Sequence, residues 1–194
     1  LLPIPCWVSY TEMIRLAGAT PVFVPVRQDN YELDLDAIRA AITPRTKAIV
    51  ICTPNNPTGA VYSEESLREL ADLAVKHDFF IVADEIYEKM VYDGAKHFSV
   101  ASISREAWER TITVNGFSKA YAMTGWRIGY AAARADVIKG IMAVQSQTTS
   151  ATSAISQKAA LAALQGSQHD MQVMVEEFKR RKDYVVQRLN AIEG

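Results

Sequence analysis

The sequence is short of several things, and each shortage narrows its class. It has only two cysteines, Cys6 and Cys52. They form neither a CxxC pair nor a disulfide framework and read as small core or near-core residues of a cytosolic, hence cytoplasmic, protein. Neither sign of charge dominates: 21 basic residues face 22 acidic ones, net −1. That balance gives no reason to expect nucleic acid or an anionic membrane as the main partner. No apolar run approaches the roughly 20 residues of a membrane-spanning helix. His77, His97 and His169 are scattered, with no metal-ligand spacing between them, and read as surface or structural. No G-x-G-x-x-G turn follows any strand candidate, which argues against a plain dinucleotide-binding dehydrogenase. Internal repeats, low-complexity linkers and a signal-peptide pattern are missing too. The chain opens on Leu1 without a methionine and closes on Gly194 directly after a helical pattern, so both ends read as cut from something longer.

What is present is an alternation. Apolar runs at 22–26, 48–52, 79–83, 111–115 and 127–132, with a further one at 1–4, are strand candidates. Several are apolar throughout, as expected for strands buried on both faces of a parallel sheet. Between them lie helical patterns at 10–17, 35–41, 63–77, 135–143, 153–164 and 171–189. The clearest is 63–77, where Leu67, Leu70, Ala71 and Ala74 make one apolar stripe. Ser63 is its N-cap candidate, with Glu64 and Glu65 favourable at the positive end of the helix dipole. Glu64–Arg68 and Asp72–Lys76 are i,i+4 pairs on its wet side. The expected fold class is α/β, a mostly parallel sheet flanked by helices. Ligands of such sheets sit at the carboxyl ends of the strands, where Asn56, Asp84 and Lys119 all fall.

Four stretches carry candidate chemistry. Asn55-Asn56-Pro57-Thr58-Gly59 follows a strand candidate; it is a turn by composition, and Asn56 could donate to a ligand oxygen. Asp84 ends another strand. It either caps a following helix or forms a charge-assisted bond to a protonated ring nitrogen, with Tyr87 one turn further on and able to reach a ring hydroxyl. Lys119 lies among Gly116, Ser118 and Ala120, a setting that favours a buried amine of lowered pKa. Such a lysine can form a Schiff base with a carbonyl, and Arg127, eight positions on, can hold a phosphate. Both demands belong to pyridoxal 5′-phosphate (PLP). Trp7 is either a core aromatic or a ring that stacks on a cofactor.

Together these residues resemble the fold-type I PLP enzymes, the aspartate aminotransferase superfamily, class I/II. The run from Gly116 to Gly129 satisfies that family's lysine-attachment pattern at every position. The Asn-Pro-Thr-Gly turn, the Asp84…Tyr87 pair and Trp7 occur in the family's order, and the resemblance covers essentially the whole chain. Cys6-Trp7-Val8-Ser9-Tyr10 and Met123-Thr124-Gly125-Trp126-Arg127 are similar to the bacterial subgroup Ib, which contains aspartate and aspartate/prephenate aminotransferases. The resemblance implies that Lys119 forms the internal aldimine and acts as the base at Cα. It implies that Asp84 pairs with the pyridine nitrogen, and that Tyr87 and Asn56 donate to the ring oxygen. Asn56 and Trp7 would also line the substrate site. Arg127 and Ser118 would hold the phosphate, while Trp7 and Ile86 would cover the two ring faces. Gly116 stands where many members have a serine that binds the phosphate.

The resemblance further implies an amino-acid substrate, aspartate-like, a 2-oxo acid acceptor, and a homodimer in the full-length parent. Residues 1–166 would be the PLP-binding large domain without its N-terminal part, and 167–194 the start of a long helix leading to a C-terminal small domain. The Ser/Thr-rich stretch at 145–156 is expected to be loop and helix start near a subunit interface. Without the small domain's substrate-clamping arginine, the chain alone is expected to turn over weakly or not at all. A PLP-dependent lyase on the same core, or the PLP-sensing domain of a transcription regulator, are the alternatives.

Overall fold

In the computed structural model, which describes residues 1–193, strands and helices alternate from the first residues on. The order is β1 (Leu2–Ile4), α1 (Ser9–Leu16), β2 (Phe23–Pro25), α2 (Leu35–Ala41), β3 (Ala48–Cys52), α3 (Glu64–His77), β4 (Phe80–Asp84), α4 (Arg105–Arg110), β5 (Thr111–Gly116), β6 (Gly129–Ala132), α5 (Ala135–Thr148), α6 (Ala154–Gln165) and α7 (His169–Asn190). Short 3-10 turns lie at Val100–Ser102 and Thr124–Trp126.

The main sheet has the order β3-β4-β5-β6, parallel except for β6, which runs antiparallel on the edge. The parallel pair β1-β2 borders it at Leu1, whose nitrogen donates to Ala48 O at 2.6 Å and whose carbonyl accepts from Val50 N at 3.1 Å. The fold is therefore α/β with a mostly parallel sheet, as the alternation predicts.

Burial along β3 and β4 alternates instead of being complete on both faces. Ile49, Ile51, Ile81 and Ala83 point into one core, where they meet Ile38 of α2, Leu67, Leu70, Ala71 and Ala74 of α3, and Ala107 of α4. Burial of this apolar area, at about 25 cal/mol per Å², is the main force holding the layers together. The opposite face, carrying Val50, Val82 and Asp84, is half-covered. There Tyr10 of α1 packs on Leu2 and Cys52.

The α3 stripe buries as the spacing predicts, and Ser63 caps it by accepting from Ser66 N at 3.2 Å. Of the two expected i,i+4 pairs, Glu64–Arg68 closes, at 2.6 Å. The larger departures from the sequence reading are four. The edge strand begins at Gly129, because Arg127 takes a left-handed backbone (φ 50°) that ends the 3-10 turn before it. Helix α4 was not expected; it is six residues long, too short to show a period, although Ser104 caps it. Helix α5 continues to Thr148, so the first part of the expected 145–156 loop is helical. Asp84 does not cap a helix. The chain instead makes turns, with Glu88 N bonded to Glu85 O at 2.9 Å and Met90 N to Tyr87 O at 2.7 Å.

No helix among the described residues is long and apolar enough to cross a membrane.

Candidate active site

Because β3, β4 and β5 are parallel, their carboxyl ends come level. Cys52 is the register partner of Asp84, and Asp84 that of Val114. The turn carrying Asn56, the end of β4 carrying Asp84 and the segment carrying Lys119 therefore open on one edge of the sheet, the position where α/β sheets bind ligands.

Asp84 faces the half-covered side of the sheet. Its Oδ1 accepts from Ile86 N at 3.1 Å and its Oδ2 from the Tyr10 hydroxyl at 2.6 Å. An acid at the end of an apolar strand is thus satisfied by two donors, as a half-buried charge must be. Burial raises the Tyr10 phenol far above its ordinary range, and the charges of Cys52 and Asp84 add to it. Burial, with the charge of Asp84 next, pushes the Cys52 thiol up to about 11. Trp7 is 39% exposed, so it is not a core aromatic. It stands edge-on to Tyr10, ring centroids 5.4 Å apart.

The second group is built by the β3 turn. Asn55 is buried and closes that turn itself: its Oδ1 accepts from Thr58 N at 3.2 Å and from Thr58 Oγ1 at 2.9 Å. Asn56 is left free to point outward, and its Nδ2 lies 3.5 Å from the Tyr87 hydroxyl. The Lys119 ammonium stands 5.7 Å from the centre of the Tyr87 ring. Lys119 is half-buried, less enclosed than the buried amine its neighbours suggest.

The segment that places Lys119 depends on two glycines. Gly116 and Gly129 are register partners across β5 and β6. A Cβ on Gly116 would lie 3.1 Å from Gly129 Cα, 3.1 Å from Ile128 O and 3.2 Å from Ile86 Cδ1, and one on Gly129 only 2.9 Å from Asn115 O. A side chain at 116 would thus be tightly packed against the β5–β6 crossing and Ile86. Arg127 is exposed; its Nη1 donates to Thr124 O at 3.0 Å, and it forms no ion pair among the described residues. Ser118 is half-buried, one position before Lys119.

The structure therefore brings Trp7 to Asp84 through Tyr10, and Asn56 to Lys119 through Tyr87. Arg127 and Ser118 are near only through the chain. The sequence reading gave Tyr10 no role, since its partner lies 74 residues away. It also gave Glu85 no role and read His97 only as surface or structural; the two pair at 3.2 Å. A half-buried acceptor carboxylate, an amide and a phenol side by side, and a lysine and an arginine without carboxylate partners among the described residues form a set that fits a phosphorylated hydroxypyridine aldehyde. A concavity of about 480 Å³ beside Ile128, Gly129, Met142 and Gln145 has no titratable side chain in its lining.

Known proteins are similar to this chain over nearly all of its length. The family model for aminotransferase class I and II, whose members use PLP, matches residues 1–194. An aspartate aminotransferase from Bacillus sp. (strain YM-2) is 45% identical over 195 residues, covering 100% of this chain and 50% of that protein. A probable aspartate/prephenate aminotransferase from Thermus aquaticus is 49% identical over 192 residues, covering 97% of this chain and 49% of that protein. The solved structure of an aromatic aminotransferase from Pyrococcus horikoshii superposes with a TM-score of 0.94 at 41% identity, covering 97% of this chain and 51% of that one. The chain spans about half the length of the curated relatives it matches.

Proposed function

The chain belongs to the aminotransferase class I and II family, and on that premise we propose that residues 1–166 are the PLP-binding core of a transaminase. Its donor is an L-amino acid, aspartate-like, and its acceptor a 2-oxo acid. The observation that carries the reading is the convergence of Asn56, Tyr87 and Lys119 beside Asp84 on one sheet edge. Relatives named for aspartate and for aspartate/prephenate support the substrate class.

When bound, PLP supplies an aldehyde that condenses with amines and a ring that withdraws electrons from the reacting carbon. The chain's residues do the rest. Asp84 accepts a charge-assisted hydrogen bond from the ring nitrogen and keeps it protonated. Asn56 and Tyr87 donate to the ring oxygen. Arg127, with Ser118, holds the phosphate as a planar multi-donor cation suits a phosphate. Trp7 and Ile86 cover the ring faces and exclude water, and Asn56 and Trp7 also line the substrate side. Lys119 Nζ would take the proton from the substrate Cα and hold it for transfer away from that carbon.

Helix α7 leads out of the core toward a small domain that clamps the substrate. The parent protein acts as a cytoplasmic homodimer. Helix α5, which buries none of its residues, and the exposed Met142, Val144, Ile155 and Leu161 support a subunit contact on that side. The test is addition of PLP: a visible cofactor band forms and is lost in Lys119→Ala. A band unchanged in that variant refutes Lys119 as the amine. Residues 1–194 alone turn over weakly or not at all; robust turnover by that chain sinks this part of the reading. Exchange assays of the parent with acidic and aromatic amino acids settle the substrate.

A further inference from the structure

Glu85 follows Asp84 directly yet faces the other way, and it is only 3% exposed. A buried carboxylate is costly unless its oxygens are bonded. Here both are. Ser99 Oγ donates to Oε1 at 2.8 Å, and His97 Nε2 lies 3.2 Å from Oε2. His97 Nδ1 is buried with no hydrogen-bond partner among the described residues, so a proton on Nε2 makes the one bond they offer the ring. The Glu88 carboxylate is in the same group, ligand atoms of Glu85, Glu88 and His97 all lying within 4.8 Å of one another. Two carboxylates around one imidazole favour its acting as donor.

These residues close the base of a loop. Glu85 and His97 are twelve residues apart, and the turns between them carry Ile86 and Tyr87. On one side the Glu85 amide donates to Val114 O at 2.8 Å, extending the β4–β5 ladder past Asp84. On the other, Phe98 and the fully buried Val100 pack into the main core. The tip is held separately, by Asp93 paired with Lys179 (2.8 Å) and Lys182 of α7. The pair thus ties the Tyr87 turn to the β4–β5 ladder and the main core.

We infer that Glu85, held by His97 and Ser99, is a positioning residue that fixes Tyr87 and Asp84 relative to the cofactor. The inference rests on the PLP reading above. A misplacement of about 1 Å can lower a rate by up to roughly a hundredfold, and loss of one buried bond shifts a turn by less.

The test uses the PLP-loaded full-length protein with Glu85→Gln, His97→Ala, His97→Gln and the milder Ser99→Ala. Ser63→Ala at the α3 cap serves as a control that destabilises without touching the site. PLP dissociation, the pH titration of the visible cofactor band, kcat, KM and thermal unfolding are measured. In Glu85→Gln and His97→Ala, kcat falls about tenfold with KM little changed, PLP binds more weakly and the band titration shifts. Ser99→Ala shows the same pattern at smaller size, and His97→Gln, which keeps a donor near Nε2, recovers much of the loss. If these variants lose thermal stability as Ser63→Ala does, while PLP affinity, band and kcat stay at wild-type values, the inference is overturned and the brace is only structural. A wild-type protein with no cofactor band instead overturns the PLP reading itself, and this inference with it.

Discussion

Tyr10→Phe isolates one atom of the site. The phenyl ring keeps the packing on Leu2 and Cys52 and the edge contact with Trp7; only the hydroxyl that donates to Asp84 Oδ2 at 2.6 Å is lost. A hydrogen bond to a charged group is worth about 1.5–3 kcal/mol. Asp84 keeps its bond from Ile86 N and is half-buried, so water reaches the vacated oxygen in part. The loss should therefore sit near the lower end, about 1.5 kcal/mol, a factor of about ten in the unfolding equilibrium. Urea unfolding should show a lowered midpoint with an unchanged slope. A double-mutant cycle with Asp84→Asn should give a coupling of about 1 kcal/mol or more. A second signature is alkaline. The folded-state pKa of Tyr10 is raised above its ordinary 10.0. Its contribution is therefore complete below that value and is lost as pH climbs beyond it toward the folded pKa. Tyr10→Phe removes that part of the alkaline loss. A coupling within about 0.3 kcal/mol of zero, with the alkaline limb unchanged, would refute the Tyr10–Asp84 bond as a stabilising contact.

The remaining expectations concern the frame around the site. Cys52 rises from an ordinary 9.0 to about 11 when folded. It contributes about 3 kcal/mol that is present below pH 9 and lost as pH rises through about 11; urea midpoints on either side of that window should converge in Cys52→Ala. Gly129→Ala forces a Cβ to within 2.9 Å of a backbone oxygen, which should cost about 1–3 kcal/mol in thermal unfolding. Gly116→Ala, at 3.1 Å, should cost less; the reverse order would contradict the packing of the β5–β6 crossing. Ser63→Ala should lose about 1 kcal/mol while leaving PLP affinity at the wild-type value.

What could be read from the sequence was whatever is decided over short spans. The α3 stripe, the Ser63 cap and the strand at 48–52 each carry their signal within a few residues, and each folds accordingly. The lysine segment and the Asn56 turn were legible for a similar reason: glycine, asparagine and proline restrict the backbone locally. Helix α5 was cut short in the reading because it buries none of its residues, which leaves its end without an apolar pattern to mark it. Partners that sit far apart in the chain were not legible. Tyr10 and Asp84 meet only because α1 lies over the ends of β3 and β4, and nothing near either residue announces the other. Glu85 shows the same limit from the other side. In the sequence it is one more acid beside Asp84, in a chain with 22 of them. Only the alternation of the strand sends Asp84 toward the open face and Glu85 toward the core, and only the packing of Phe98 and Val100 brings His97 and Ser99 to meet it. Adjacent carboxylates thus acquire opposite environments, one partly open to a ligand and one sealed against the loop it anchors. That division follows from the sheet's two-residue period, so moving the acid pair by one position along β4 would exchange the two environments.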